Sequence, residues 1–366
     1  MNIELFKNEE KAVFQLRSLY QKYGYTQYKM SKFEEYDLYV RNKDFLVSDN
    51  IITFTDTNGK LMALKPDVTL SIIKNTEDIP GCVNKVYYNE NVYRVSKGTQ
   101  SFKEIMQAGL ECIGDIDDYC ICEVITLAAE SLKNISEDFV LDISHLGILS
   151  SVIDSLGVST SAAKKLTQAV SEKNVYAVSA ICDAEGVCAD KLKKLVSTYG
   201  SLEKVAPVLD EFDCTNEAEQ LKNIVSALEK SGLKGKLRID FSVINDMNYY
   251  NGFVFKGFVN GVSAGILSGG QYDNLMHKMG RKSGAIGFAV YLDMLERLAE
   301  DNKDFDVDAV ILYDDQCDFV TVKNAVNSLI ASGKTVIAQR KVPDKLRYRQ
   351  LMKLTEEGVE TVETNA

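Results

Sequence analysis

The chain has 366 residues, 45% hydrophobic and 26% charged, with a formal net charge of −11 at neutral pH. That length gives room for two or three domains with a sizeable core, while the acidic balance offers no overall basic footprint for nucleic acid. No apolar run approaches the roughly 20 residues of a membrane span, and the opening MNIELFKNEE has neither a secretory core nor an Arg-rich leader, so a cytoplasmic location is expected.

Apolar positions at Leu5, Phe6, Val13, Phe14, Leu16, Leu19 and Tyr20 make a helical stripe over 4–24, closed by Gly24. An extended segment, YTQYKMSKFEEYDLY, follows. Ile51–Thr55 and Lys60–Leu64 flank Asp56-Thr57-Asn58-Gly59, whose Asn-Gly pair is a strong hairpin signal. LKPDVTLSIIKN then turns into a helix with Asp67 near its start, residues 85–114 read as two antiparallel strands around a loop at 97–101, and a helix is expected near 117–133.

From about 150 to 233 the chain reads as successive helices, such as SAAKKLTQAVSEK and EAEQLKNIVSALEKSG, a helical insertion with a spacing or lid-like role. Strands resume at 236–268, where Asn260-Gly261 supports another hairpin. Gly269-Gly270 is either a turn or a close approach of backbone to a ligand. A helix is expected at about 286–300, IGFAVYLDMLERLAE. The tail reads strand, helix, strand, helix and a short last strand, a small α/β unit over 305–366.

The 85–114 hairpin carries the strongest functional signal. Alternation on its returning strand puts Ile105, Gln107, Gly109, Glu111 and Ile113 on one face. Gln107 and Glu111 stand roughly 13 Å apart along the strand, and Gly109 is expected to leave the floor between them bare. An amide and a carboxylate so placed can grip the two ends of a small zwitterion with a basic side chain. Such a face is ordinarily just solvated. Ile105 and Ile113 mark it instead as buried, where a carboxylate needs a partner.

Other patterns carry less. The eight cysteines form no CxxC pair, and the two histidines, His145 and His277, lie far apart, so no zinc site assembles and neither metal nor cofactor is expected. Two histidines also leave little material for histidine-based acid–base chemistry. Lys334, Arg340, Lys341, Lys345, Arg347, Arg349 and Lys353 cluster near the end, opposed by Asp344. A solvated helix face is the default reading, a docking patch for an RNA or a protein the sharper one.

Taken in order, GYTQYKMSKFEEYDLY, LKPDVT, the Arg94 hairpin, the helical insertion, NYYNGFVF, GGQYD and IGFAVYLDML resemble the histidyl-tRNA synthetase family over about residues 1–300. The resemblance implies an α+β, class II aminoacyl-tRNA synthetase-like fold, an antiparallel sheet flanked by helices, dimeric in the family. The departures are informative. The family's hairpin runs roughly F-R-x-E, G-R-x-R-E-F, H-Q-x-G-x-E; here Arg94, Gln107, Gly109 and Glu111 match, while Ser96, Ser101 and Lys103 replace an acid and two arginines. R-G-L-D-Y-Y appears as Asn245-Asp246-Met247-Asn248-Tyr249-Tyr250, Gln271 replaces the arginine of G-G-R-Y-D, Met294 replaces that of the final motif, and Ser31 a proline of the first.

Adenylation must stabilise charge on a transferring phosphoryl group, which demands arginines or metal. Losing those cations predicts little catalysis. By the resemblance, Asp67, Thr69, Gln107, Glu111, Tyr249 and Tyr250 keep the grip on histidine, with Arg94 a remnant phosphate contact. A retained reader without its chemistry resembles the regulatory subunits of ATP phosphoribosyltransferase, synthetase paralogues of histidine biosynthesis. In that family the synthetase-like chain has no activity of its own, assembles with a short catalytic subunit, supports its activity and conveys feedback inhibition by histidine. The resemblance therefore implies a non-catalytic homodimer partnered by the short-form ATP phosphoribosyltransferase, with histidine as ligand and no membrane or nucleic acid partner. A divergent histidyl-tRNA synthetase and a stand-alone histidine-sensing or RNA-binding synthetase remnant are the alternatives.

Overall fold

A computed structural model describes residues 7–43, 46, 51–95, 101–212, 214–244, 247, 249–297, 304–355 and 358–365. The chain divides into two units, Met1–Leu298 and Ala299–Ala366. Leu5, Phe6, the hairpin loop at 97–100, Ser96, Asn245, Asp246 and Asn248 lie outside the described residues.

The first unit opens with α1 (Asn8–Lys22), which buries Ala12, Val13, Leu16 and Tyr20 on one stripe. Gly24, at φ +82°, turns the chain into β1 (Thr26–Gln27). β2 (Phe33–Glu35), α2 (Tyr36–Arg41), β3 (Thr53–Thr55) and β4 (Leu61–Leu64) follow, and β2, β4 and β3 form a small antiparallel sheet. The expected Asn58-Gly59 turn closes β3 onto β4: Gly59 sits at φ +81°, and Asp56 Oδ1 accepts from the Asn58 and Lys60 N–H groups. Then come α3 (Thr69–Asn75) and the long hairpin of β5 (Val83–Val95) and β6 (Phe102–Gly114), in unbroken antiparallel register from Val83↔Gly114 to Val95↔Phe102.

α4 (Asp118–Ile135) starts at Asp117, whose side chain accepts from the Cys120 N–H and caps the helix. β7 (Phe139–His145) leads into α5 (Leu146–Ser155), α6 (Thr160–Ser171), α7 (Val175–Glu185), α8 (Asp190–Ser197), the two-residue β8 (Tyr199–Gly200), α9 (Leu202–Leu209) and α10 (Thr215–Leu228). Leu166, Val170, Leu192, Leu195, Leu209 and Leu221 of these helices join the same apolar cluster as the sheet. β9 (Leu237–Asp240), β10 (Phe253–Val259), β11 (Leu267–Gln271), α11 (Asp273–Lys278) and β12 (Gly284–Tyr291) complete the unit, followed by a short 3-10 helix at Leu292–Arg297.

The main sheet runs β1-β5-β6-β12-β11-β10-β7-β9-β8, antiparallel except at β1–β5 and β7–β9. Its two faces are buried differently. One carries Leu110, Leu141, Ile143, Phe255 and Phe288 against α1, α4 and the later helices. The other carries Val86, Tyr88 and Ile113 beneath Leu70, Ile72 and Ile73 of α3, with Tyr249 and Tyr272. The expected buried face of the hairpin is this second one.

Two expected helices are strands. The run IGFAVY is central strand β12, flanked by β6 and β11 and buried from both sides, so its continuous apolar pattern is that of a core strand. Its glycine is the signal that favours a strand: a Cβ at Gly287 would run into the Glu111 carboxylate and lie 2.5 Å from the Leu110 carbonyl oxygen. Gly269 and Gly270 are likewise inside β11 rather than in a turn. A Cβ on Gly269 would lie 2.8 Å from the Phe255 ring, and one on Gly270 2.8 Å from the Tyr250 ring.

The second unit holds β13 (Val307–Leu312), α12 (Phe319–Ala331), β14 (Val336–Gln339), β15 (Tyr348–Thr355) and β16 (Gly358–Thr364), in sheet order β14-β13-β15-β16. Residues expected as its second helix are β15, because Met352 and Leu354 alternate onto the small core with Ala309 and Ile311. The basic segment is therefore no helix face. Arg340 pairs with Asp315 at 2.5 Å, Arg347 with Asp306 at 2.8 Å, and Arg349 faces Asp308 at 4.0 Å.

Because the Glu111 carboxylate fills the space above Gly287, Gly287→Ala should overpack the sheet centre. The expected loss is about 1–3 kcal/mol of stability, read as a lower urea midpoint at unchanged m-value.

Candidate functional site

A cavity of about 350 Å³ opens on the second face of the main sheet. The start of α3 contributes Asp67, Val68 and Thr69; β5 gives Tyr88 and Arg94; β6 gives Gln107 and Glu111. Tyr249, Tyr250 and Tyr272 wall one side, and Ser268, Gly287, Ala289 and Tyr291 complete the lining from β11 and β12. All seven sequence-predicted residues, Asp67, Thr69, Arg94, Gln107, Glu111, Tyr249 and Tyr250, thus meet in one place.

Register explains the meeting. Gln107, Gly109 and Glu111 stand opposite Tyr291, Ala289 and Gly287 of β12 on one side, and opposite Glu90, Tyr88 and Val86 of β5 on the other. Directly paired residues share a face. Tyr88 and Tyr291 were missed by sequence reasoning for want of this register, although parity along each strand would place them once it was known. Tyr272 was in plain view inside GGQYD.

Glu111 is the chemical centre. It is 3% exposed, Thr69 Oγ1 donates to its Oε1 at 2.8 Å, and the Tyr272 hydroxyl donates to its Oε2 at 2.6 Å. Burial pushes its pKa up to about 8; the bonds from Tyr272 and Thr69 oppose that rise, and the nearby Asp67 charge adds to it. With one donor already on each oxygen, the group still has acceptor capacity for a donor inside the cavity.

Asp67 faces the cavity at the start of α3, where its Oδ1 accepts from the Leu70 N–H at 2.9 Å. Burial raises its pKa, against the Leu70 bond and the Arg94 charge. Arg94 is held by donation from Nε to the Pro66 carbonyl at 2.9 Å and lines the cavity together with the half-buried Tyr291. Tyr249 packs at a tilt against Tyr250, with centroids 4.6 Å apart, and against Tyr272 at 5.6 Å.

The floor is not bare. A Cβ on Gly109 would lie 2.6 Å from the Tyr88 hydroxyl and 2.7 Å from its Cζ, so the glycine makes room for a phenol ring crossing between Gln107 and Glu111. The cavity thereby has two chemical ends. Asp67, Arg94, Gln107 and Tyr291 form one, and Glu111, Thr69 and Tyr272 the other.

Positions where the synthetase pattern calls for cations have other uses here. Gln271 folds its amide over Gly252 and accepts from the Phe253 N–H at 2.8 Å, tying β11 to the start of β10. Met294 packs against the main core, and Ser101 and Lys103 are exposed at the start of the returning strand. Among the described residues that line the cavity, Arg94 is the one arginine. Among the described residues, no group of three His, Cys, Asp or Glu side chains is placed to hold a metal ion, and no helix is long and apolar enough to cross a membrane.

The family model described as histidyl-tRNA synthetase matches residues 2–295. The ATP phosphoribosyltransferase regulatory subunit of Caldanaerobacter subterraneus subsp. tengcongensis is 30% identical over 288 residues, covering 76% of this chain and 75% of that one. The chain belongs to the histidyl-tRNA synthetase-like family of ATP phosphoribosyltransferase regulatory subunits. In solved structures the same fold appears in an ATP phosphoribosyltransferase regulatory subunit/histidyl-tRNA synthetase from Bacillus halodurans, at TM-score 0.71 and 22% identity over 93% of this chain and 91% of that one. It also appears in an ATP phosphoribosyl transferase complex from Thermotoga maritima, at TM-score 0.64 and 19% identity over 78% and 98%. At these identities the structures establish the class II synthetase-like fold of this regulatory-subunit family member.

The raised pKa of Glu111 has a signed consequence for the empty protein. An unfolded glutamate loses its proton near pH 4.3, whereas the folded one keeps it to about 8. Between those values the folded state binds more protons, so stability should fall as pH rises, by up to tenfold in the unfolding constant per pH unit, and level off above 8. Urea unfolding at pH 5, 6, 7 and 8 should show this slope in the wild type and a shallower one in Glu111→Gln, where the buried Asp67 carboxyl, also raised, still contributes.

Proposed function

We propose that this chain is a non-catalytic regulatory subunit of ATP phosphoribosyltransferase. It assembles with the short catalytic subunit, is required for that subunit's activity, and conveys feedback inhibition by histidine bound in the cavity over β6 and β12. The observation that carries the reading is a carboxylate-lined amino-acid pocket whose neighbouring cation positions have become the structural Gln271 and the core residue Met294. Stabilising a transferring phosphoryl group needs such cations, and a pocket that reads without reacting acts only through a partner. The names of the relatives, and the Thermotoga maritima complex, support the choice of partner.

In this reading the histidine ammonium sits by Asp67 and Gln107, the ring donates to Glu111 with Tyr250 as a wall, and Arg94 is a remnant phosphate contact. The chain acts as a homodimer in the cytoplasm, with a synthetase-like core over 1–300, its helical insertion at about 150–233, and a reduced C-terminal unit at 305–366. Mixing the purified chain with the short catalytic subunit should switch on product formation from ATP and phosphoribosyl pyrophosphate, and histidine should suppress it. An unchanged rate and unchanged histidine sensitivity would remove the assignment. Robust histidine-dependent pyrophosphate exchange into ATP by the chain alone would restore the synthetase.

One proton shared between Glu111 and the imidazole fixes the pH dependence of binding. Free imidazole protonates near pH 6.5 and the empty-site Glu111 near 8, so between these values the separated partners already carry one proton in total. Histidine affinity should be flat there. Above about 8 binding must take up a proton, and below about 6.5 it must release one, so affinity falls on both sides. Calorimetry should give this plateau, and Glu111→Gln should weaken binding by about 1–3 kcal/mol and flatten the alkaline limb.

A further inference from the structure

Lys65 is fully buried, and nothing in the proposed function uses it. Its ammonium donates to Glu90 Oε2 at 2.5 Å, and Glu90 is 17% exposed. Removing an ammonium from water costs several kcal/mol unless a partner compensates, so the placement calls for a reason. The reason lies in its neighbours along the chain. Lys65 begins the segment that continues through Pro66 to Asp67, Val68 and Thr69 of the cavity wall. That segment is fastened to β5 at three successive points: the Lys65 carbonyl accepts from the Tyr93 N–H at 2.9 Å, the Pro66 carbonyl accepts from Arg94 Nε at 2.9 Å, and Lys65 Nζ grips Glu90. Glu90 in turn pairs across the hairpin with Gln107 of the cavity floor.

We infer that Lys65 and Glu90 are a positioning pair for the amino-group end of the cavity: their buried ion pair sets the distance between Asp67 on one element and Gln107 on the other. Neither residue touches the ligand. The Thr69–Glu111 hydrogen bond holds the opposite end independently, so loosening the pair should displace Asp67 while leaving the imidazole end in place. Contacts held to a fixed geometry by supporting residues lose discrimination when the support loosens.

This inference rests on the histidine reading for its ligand arm, and a ligand-free arm stands apart from it. In the empty protein, amide hydrogen exchange at Leu70 and Ile72, whose N–H groups bond to Asp67 Oδ1 and the Val68 carbonyl, should quicken by about tenfold or more in Lys65→Met and in Glu90→Gln. The amide of Phe288 in central β12 should keep its wild-type rate. If Lys65→Met fails to fold, the milder Glu90→Gln decides. In the ligand arm, histidine is compared with imidazolepropionate, which lacks the α-amino group. The variants should cut the preference for histidine about tenfold, roughly one interaction with a charged group, with imidazolepropionate affinity unchanged. An equal drop in both affinities would overturn the positioning role. Unchanged exchange at Leu70 and Ile72 would overturn it whatever the ligand does. Failure of the wild type to bind histidine would refute the ligand reading alone, and the exchange result would still decide the pair.

Discussion

Much of the cavity depends on one desolvated carboxylate lying on one glycine. Glu111 occupies the space that a side chain at position 287 would need, and its two oxygens draw in Thr69 from α3 and Tyr272 from the segment after β11. Two separate stretches of chain are thereby pinned to the sheet centre by one group. An unpartnered carboxylate there would be costly, and that cost makes the local arrangement specific. The same constraint explains why the sheet centre tolerates several glycines: Gly109, Gly269, Gly270 and Gly287 each leave room for an aromatic ring, a carboxylate or a neighbouring strand.

The conversion from enzyme-like pattern to regulatory-subunit pattern is visible as reuse of side-chain positions. An arginine aimed at phosphate needs room and solvent-facing charge, whereas Gln271 turns inward to satisfy a backbone N–H and Met294 fills apolar space. At both positions the residue present supports the fold. Arg94 is different because its Nε donates to the Pro66 carbonyl while the residue still lines the cavity.

The hairpin face with Gln107 and Glu111 was legible from period-two alternation, whereas Asp67, Thr69, Arg94, Tyr249 and Tyr250 came from the family resemblance, since they lie on other segments that alternation does not connect. The β3–β4 turn was legible from Asn58-Gly59 alone. β12 was not, because a run such as IGFAVY buried on both sides loses the alternation that distinguishes a strand from a helix, and the family's motif drew the reading toward a helix. β15 failed for a related reason: its charged residues, Arg349 and Lys353, suggested a solvated helix, and only their alternation with Met352 and Leu354 betrays a strand. Tyr88 was invisible because its importance depends on a cross-strand partner, and cross-strand register is not a local property of sequence.

The phenol-walled cavity carries an optical consequence. The chain has no tryptophan, and of its 18 tyrosines five, Tyr88, Tyr249, Tyr250, Tyr272 and Tyr291, line this one space. Three of them are mutually tilted, with Tyr249 at 54° to Tyr250 and 52° to Tyr272, an arrangement whose asymmetry couples their electronic transitions. Near-ultraviolet circular dichroism of the unlabelled protein is therefore weighted toward the cavity, so the molecule brings its own spectroscopic reporter to this space.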